Sequence, residues 1–470
     1  MKKLAEFVAE HLHDDTSRLI LDRKKWPGID MDLAVNCIIS RRKLRDKVKE
    51  WHNEPLLVFP AKLSAEQCSS SATAAYKASI ASRIASASGK SGAPWRIADL
   101  TGGLGVDSWF FSKVAEKVLY CEMKPELCRA AEYNFNVLDA ENIIVRNCMI
   151  APSAGTEPAD DNACDGSQAT SGCNAEAALA SPSAVLSGFS PDIVYLDPAR
   201  RGEGGRKVFL IEECVPDVLA LREEIFSHSR HILLKLSPMA DISMAASRLG
   251  ATCREIHTVA HGGECKELLI WLDREWSGGY SVTACELHGD DKCTFTFRPE
   301  EEKNAIPAIA VRNVFEQPSF LLFEPGKSLM KAGAFNLLSE RYGLRKLARS
   351  THYYIMENAA IPSELDKMGK FFRVLSSRPL DKRSIKEAGA TFPNADVTAR
   401  NIPMDTDTLR KKLSACAPKA NASSRCHDSG KTQEPATGQD RPLSCKTEDI
   451  HIFGLKSDTA GNLLITTSRL

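Results

Sequence analysis

Apolar positions along the chain change period twice. Leu4, Phe7, Val8 and Leu12, then Leu33, Cys37, Ile38 and Leu44, recur at three- and four-residue spacing, which predicts amphipathic helices in an N-terminal region spanning 1–94. Ser64 with Gln67 reads as a capping pair for a helix continuing through Tyr76 and Ile84, and the small residues from Ser86 to Pro94 close the module. Beyond Arg96 the helical stripe gives way to short apolar runs at 96–100, 117–121, 143–146, 192–196, 231–235, 254–260 and 267–273. Helical stretches separate the earlier runs, so the pattern predicts βαβ units in a parallel sheet. Only His261 to Cys265 separates the last two runs, too little for a helical crossover, so they are expected to form an antiparallel hairpin. Residues 280–323 alternate like strands (Tyr280, Val282; Phe295, Phe297). Residues 324–412 mix helix, as in Gly343 to Ala348, with extended runs such as His352 to Ile355. Ile450–Phe453 and Leu463–Thr466 predict two closing strands. Pro152–Gly188 and Cys416–Thr447 are rich in small and polar residues with few large apolar ones, and are expected to be flexible insertions. No internal repeat is visible.

Composition narrows the class. The chain of 470 residues carries 61 basic and 61 acidic side chains, so its total charge identifies no polyanionic partner. The distribution is uneven: Glu324 to Lys412 holds 17 Lys/Arg against 10 Asp/Glu, a bias that suits phosphate contact or a solvated helical surface. Arg41 to Lys49, with six basic residues and one acid, reads first as a solvated helix face. There are 15 cysteines, an odd number without regular spacing and with no Cys-x-x-Cys pair, which argues against a disulfide framework and gives a metal site no support. With no signal peptide and no apolar run of the ~20 residues a membrane helix needs, the expectation is a soluble, cytoplasmic protein with reduced thiols.

The candidate chemistry lies at strand ends. Ile97-Ala98-Asp99-Leu100-Thr101-Gly102-Gly103-Leu104-Gly105-Val106-Asp107 reads as a buried strand ending in an acid, then a glycine-rich turn opening a helix. The next strand stops at Glu122, where a carboxylate can hold a ribose diol, and a later one delivers Asp197-Pro198-Ala199-Arg200. A dinucleotide fingerprint would space its glycines as Gly-x-Gly-x-x-Gly. The acid at Asp99 would also repel a pyrophosphate, whereas it suits a cofactor bearing a sulfonium and an ammonium group. Lys235 and Ser237 end the following strand and could line an acceptor site, Lys235 alternatively pairing with a carboxylate. Arg200, Arg201 and Arg206 read either as a surface ion-pair cluster or as a phosphate clamp. For Glu264, Lys266 and Glu267 structural salt bridging is the favoured reading.

On these residues the chain resembles a class I S-adenosylmethionine-dependent methyltransferase. Asp99 to Gly105 resembles that family's first motif, Glu122 its ribose-binding acid and Asp197-Pro198-Ala199-Arg200 its fourth motif. More narrowly it is similar to bacterial methyltransferases with a C-terminal THUMP-like domain, through Glu66–Ser70, Asp197–Arg201, Lys235–Pro238, Glu264–Leu269, Phe323–Pro325, Lys331–Gly333 and Ala399–Asn401. The resemblance implies an α/β fold: a seven-stranded Rossmann-like methyltransferase sheet, an N-terminal helical region and a small C-terminal α+β THUMP-like module. The implied domains are 1–94, helical; 95–276, methyltransferase with an insertion at 152–188; 277–323, small, strand-rich and ferredoxin-like; and 324–470, THUMP-like with an insertion at 416–447. It implies S-adenosyl-L-methionine as cofactor, bound by Asp99, Thr101, Gly102, Gly103, Gly105, Asp107, Glu122 and Asn147. Asp197, Pro198, Arg200, Lys235 and Ser237 become the catalytic candidates, with no metal.

Methyl transfer from a sulfonium needs alignment and exclusion of water more than acid–base power. Ala199 and Arg200 stand where amino-methylating relatives commonly have Pro and an aromatic. No cysteine follows Leu233–Pro238, where carbon-directed uridine methyltransferases carry their nucleophile. The expected acceptor is RNA, tRNA or rRNA, methylated by in-line transfer, with no membrane partner. The alternative is a protein or small-molecule acceptor, the THUMP-like module then serving as an interaction domain. A binding module with a degenerate sheet is disfavoured by Asp99, Gly103, Glu122 and Asp197 occurring together.

Overall fold

The computed structural model describes residues 1–153, 178–200, 211–289, 291–316, 320–357, 360–417 and 449–470. The chain divides into two compact units, Met1–Arg298 and Pro299–Leu470.

The first unit is built on a ten-stranded sheet. Its main strands are β1 (Arg96–Asp99), β2 (Lys117–Glu122), β3 (Ile143–Ile150), β4 (Ile193–Leu196), β5 (His231–Leu236), β6 (Cys253–His261), β7 (Glu264–Asp273), β8 (Ser281–His288) and β9 (Asp291–Phe297). They lie in the order β9-β8-β6-β7-β5-β4-β1-β2-β3, with a short strand, Ala178–Ala180, outside β3. Strands β1 to β5 pair in parallel, while β7 runs antiparallel between β5 and β6. All seven expected strands form, and the short connection after β6 is the expected hairpin.

Side chains alternate between the two faces of these strands, as the pleat requires. Ile97, Val118, Tyr120, Ile193, Tyr195 and Leu233 enter one core, and Ala98, Leu119, Cys121, Val194, Leu196 and Leu234 enter the other. The N-terminal region supplies α1 (Lys2–Glu10), α2 (Thr16–Leu21), α3 (Met31–Leu44), α4 (Lys49–Asn53), α5 (Lys62–Gln67) and α6 (Ser71–Ala85). Trp51, Phe59, Tyr76, Ile80 and Ile84 of this region share the first core with the sheet, together with α7 (Val106–Ser112) and α8 (Pro125–Val137). At ~25 cal/mol per Å² of apolar surface, burial of such side chains contributes about 1.5–3 kcal/mol each. The N-terminal helices are therefore part of the sheet's covering layer.

Two local expectations are corrected here. Helix α6 is capped by Ser70, whose hydroxyl accepts from the Thr73 N–H while Thr73 reciprocates; Ser64 and Gln67 lie inside α5. The basic run Arg41–Lys49 is mostly a solvated face, as expected, with Arg42, Lys43, Arg45 and Lys49 exposed and Arg41 the exception. Arg41 is buried and donates to the carbonyls of His52, Glu54 and Pro55, and Arg42 donates to Leu12 O and Asp14 O. Lys43 pairs with Glu66 and Lys47 donates to Glu66 O. Residues 281–297, expected within a separate domain at 277–323, instead extend the large sheet: β8 pairs in parallel with β6, and β9 pairs with β8. Inserting β7 beside β5 leaves the other edge of β6 open to receive them.

The second unit holds β10 (Ala308–Ile309), β11 (Leu321–Pro325), β12 (Arg345–Lys346), β13 (Tyr354–Met356), β14 (Gly369–Pro379), β15 (Asp396–Arg400), β16 (Ile450–Ser457) and β17 (Gly461–Arg469). Their order is β10-β12-β13-β11-β14-β17-β16-β15, and the two predicted closing strands are β16 and β17. The expected helix at Gly343–Ala348 is absent. The helix Asn336–Tyr342 ends at Gly343, whose φ of +64° only glycine adopts freely, and Arg345–Lys346 is β12. Among the described residues no helix is long and apolar enough to cross a membrane, and no acidic, His or Cys cluster could hold a metal ion. Residues 154–177 and 418–448, which make up most of the two expected insertions, lie outside the described residues.

Candidate active site

The ends of β1, β2 and β4 open on one cavity of about 590 Å³, within the ~300–1,000 Å³ usual for ligand pockets. Asp99, Thr101 to Asp107, Glu122, Asp197, Pro198, Lys235 and Ser237 all line it, so the structure brings together most of the residues singled out from sequence.

Asp99 is fully buried and carries no cationic partner. Its carboxylate accepts from the Thr101 N–H at 3.0 Å and the Ser108 hydroxyl at 2.6 Å. Burial raises its pKa to about 7, and these two hydrogen bonds pull only part of the way back. Glu122 accepts from the Gly103 and Lys124 N–H groups, both at 2.9 Å, and burial raises it as well. Two carboxylates thus face the cavity at a cost in desolvation that no cation within ion-pairing distance offsets.

The glycines have separate reasons. Gly103 sits at φ +56°, a backbone region side chains disfavour. At Gly102 a Cβ would lie 2.2 Å from the Tyr120 ring, and at Gly105 2.8 Å from Phe135. Gly105 also sits at φ +93°, so the turn is held open by conformation at Gly103 and Gly105 and by packing at Gly102 and Gly105.

Thr101 Oγ1 accepts from the Asp197 N–H at 2.6 Å, joining the donor turn to the Asp-Pro turn. Lys235 pairs with Asp197 Oδ2 at 2.5 Å. Burial opposes the charge on Lys235, but Asp197, Glu267 and Asp107 together hold its pKa above the usual lysine range. The Ser237 hydroxyl accepts from the Met239 N–H at 3.3 Å.

Two predicted residues are placed differently. Asp107 touches the cavity wall, but its carboxylate joins a buried network. It accepts from Ser69 and Tyr195, each at 2.9 Å, and lies 3.3 Å from Lys77 Nζ. Burial alone would raise Asp107; Lys77, Lys235 and these hydroxyls outweigh it and hold the group below the ordinary carboxylate range. Asn147 does not line the cavity: its amide donates to Glu122 O and Met123 O, while Cys148, Met149 and Ile150 form the wall there. Arg200 pairs through its backbone with Cys214; its side chain, and Arg201 and Arg206, lie outside the described residues.

Sequence reasoning missed the opposite wall. Leu63, Ser64, Gln67, Cys68 and Ser69, from α5 and the turn after it, face the strand ends. They are held by Lys77 of α6, which is wholly buried and donates to Ser69 Oγ and both Glu267 oxygens, each at 2.9 Å. Lys77 shares an apolar helix stripe with Ala74, Ala81 and Ile84, and a lysine on such a stripe was the available signal. Glu267 is thus a buried structural partner, as expected. Lys266 pairs with Glu264 but also lines the cavity mouth.

Strand order β3-β2-β1-β4-β5-β7-β6 with β7 reversed, and a cavity at the ends of β1, β2 and β4, narrow the choice of folds. A crystal structure of a putative methyltransferase from Porphyromonas gingivalis W83 decides it: 23% identical, it matches with a TM-score of 0.73 over 100% of this chain and 98% of that one. The fold is that of a class I methyltransferase.

Two family models match parts of the second unit. A ferredoxin-like domain model matches residues 321–362 and a THUMP domain-like model matches 369–423. Looser matches include a putative RNA methyltransferase from Pyrococcus horikoshii (14% identity, 35% of this chain and 58% of that one, TM-score 0.19). Another is a putative methyltransferase from Streptococcus mutans in complex with SAH (9%, 38% and 88%, TM-score 0.24). Neither score is high enough to carry an argument. No curated protein matches the chain.

Proposed function

We propose that the protein is an S-adenosylmethionine-dependent methyltransferase acting on RNA. One observation carries the donor assignment: two buried carboxylates in no ion pair, Asp99 and Glu122, face one cavity beside a half-buried glycine turn. Such a site favours a cationic ligand, and a nucleoside with an ammonium and a sulfonium group matches it. When bound, S-adenosylmethionine supplies an electrophilic methyl group. Asp99 and the turn Thr101–Gly105 would hold its amino-acid end, and Glu122, with lone pairs left on both oxygens, would accept from the ribose hydroxyls.

Asp197, Lys235 and Ser237 would form the acceptor side. The Thr101–Asp197 hydrogen bond ties that side to the donor turn, so donor and acceptor are oriented by one rigid strand-end assembly. The wall Leu63–Ser69 would help exclude water. RNA as acceptor rests on the THUMP domain-like match and on the basic bias of 324–412.

Equilibrium binding of labelled donor to the full chain tests the donor site. Asp99→Ala and Gly103→Val are each expected to weaken it at least tenfold while the fold is retained by circular dichroism. Unchanged binding in both would overturn the reading. Mass spectrometry of RNA from cells with and without the protein tests the acceptor: a methyl mark should disappear.

A further inference from the structure

A second cavity, of about 150 Å³, lies wholly within the THUMP-like unit. It is lined by Glu324, Lys327, Thr351, His352, Tyr353 and Arg400, among others. Whole small molecules generally occupy ~300 Å³ or more, so this space takes a group and not a complete ligand.

Its chemistry is that of an anion site. Lys327 and Arg400 have no ion-pair partner among the described residues; Glu324, the one lining carboxylate, accepts from the Tyr353 hydroxyl at 2.6 Å. Behind the lining lies Lys346, buried, with only neutral partners in contact: Asn336 Oδ1 at 3.0 Å and Arg349 O at 3.2 Å. Its nearest opposing charges, Glu302 and Asp458, are felt at longer range, and burial prevails to lower its pKa. His352, stacked on Phe335 with ring centroids 3.6 Å apart, keeps a buried Nδ1 that has no hydrogen-bond partner. Burial and the Lys346 charge lower its pKa, so the ring is neutral and can present an N–H without adding charge. Asn401 is one of three non-glycine residues with positive φ among the described residues, at +56°, and is pinned by its amide to Ser350 O and Thr351 Oγ1. Strain of this kind costs about 1–3 kcal/mol and gathers at ligand sites.

We propose that this cavity binds one phosphate group of an RNA strand, held by Lys327 and Arg400 of its lining. The pocket's preference for an anion stands on this geometry alone; RNA as the carrier rests on the proposed function.

The test uses the full chain and a labelled single-stranded oligoribonucleotide, with inorganic phosphate as competitor. The variants are Lys327→Gln, which alters an exposed side chain, and Lys327→Gln/Arg400→Gln. The double variant is expected to bind the strand at least tenfold more weakly. Its slope of log K against log salt should be shallower by about 0.7, the loss of one phosphate contact on single-stranded nucleic acid. Phosphate should compete with the strand on the unaltered chain. Wild-type strand affinity in the double variant would overturn the proposal, as would a failure of phosphate to compete. Phosphate binding that the variants abolish, beside strand binding they leave intact, would overturn RNA as the carrier. Donor binding, measured on the same samples, is expected to be unchanged and reports separately on the methyltransferase reading.

Discussion

The cavities of the two units differ in which charges beside them lack an ion-pair partner. In the first unit the cavity is faced by two carboxylates in no ion pair, Asp99 and Glu122, with Lys124 acting on Glu122 only at longer range, while Lys77 is held by Glu267 and Asp107 and Lys235 by Asp197. In the second unit a buried lysine, Lys346, has no charged contact, and the cavity near it is rimmed by Lys327 and Arg400. Since burying an unpaired charge is costly, the sign of the uncompensated group reports the sign of the ligand that would neutralise it. On the readings proposed above, one unit would take a cationic donor and the other an anionic strand.

Removing buried lysines sharpens this contrast most strongly. Lys77→Met would leave Glu267 and Asp107 without their shared cation, so a loss of about 3–5 kcal/mol in unfolding free energy is expected by urea titration. Lys346→Met strands no contacting carboxylate and forfeits two hydrogen bonds to neutral oxygens, so its cost should stay near ~1–2 kcal/mol. Equal costs would remove the distinction between the two buried cations.

Asp99→Asn probes the donor side and comes between these. It should weaken donor binding about 100-fold, roughly 3 kcal/mol, by removing a buried charge from opposite a cation. The fold itself should respond in the other direction. A carboxyl whose pKa rises from its ordinary value to about 7 on folding makes a contribution to stability that is present at low pH and lost as pH rises through 7. Without donor, the thermal midpoint of Asp99→Asn should therefore gain on that of the unaltered chain as pH increases through this range. A variant that loses stability at every pH would mark Asp99 as a structural residue.

How much of this was legible in sequence depended on distance along the chain. The strands, the glycine turn and the carboxylates at Asp99, Glu122 and Asp197 are local signals: each acid directly follows or ends its own apolar run. The wall Leu63–Ser69 and the Lys77 node depend on contacts across long separations. Ser69 meets Asp107 38 residues away and Lys77 meets Glu267 190 residues away, and neither partner leaves a mark on the other's local pattern. Within the solvated basic run Arg41–Lys49 the burial of Arg41 was hidden, because its backbone-carbonyl partners have no side-chain signature. Alternation identified β8 and β9 as strands, yet it could not reveal which sheet edge they would join.

The most direct test of the central claim is calorimetric titration of S-adenosylmethionine into the full chain on either side of pH 7, for the unaltered protein and Asp99→Asn. If an ionised, buried Asp99 receives a cationic donor, affinity in the unaltered chain rises as pH increases through 7 and protons are released on binding below it, while Asp99→Asn binds weakly with no such dependence. Donor affinity that is the same in both proteins and flat across pH would contradict the account.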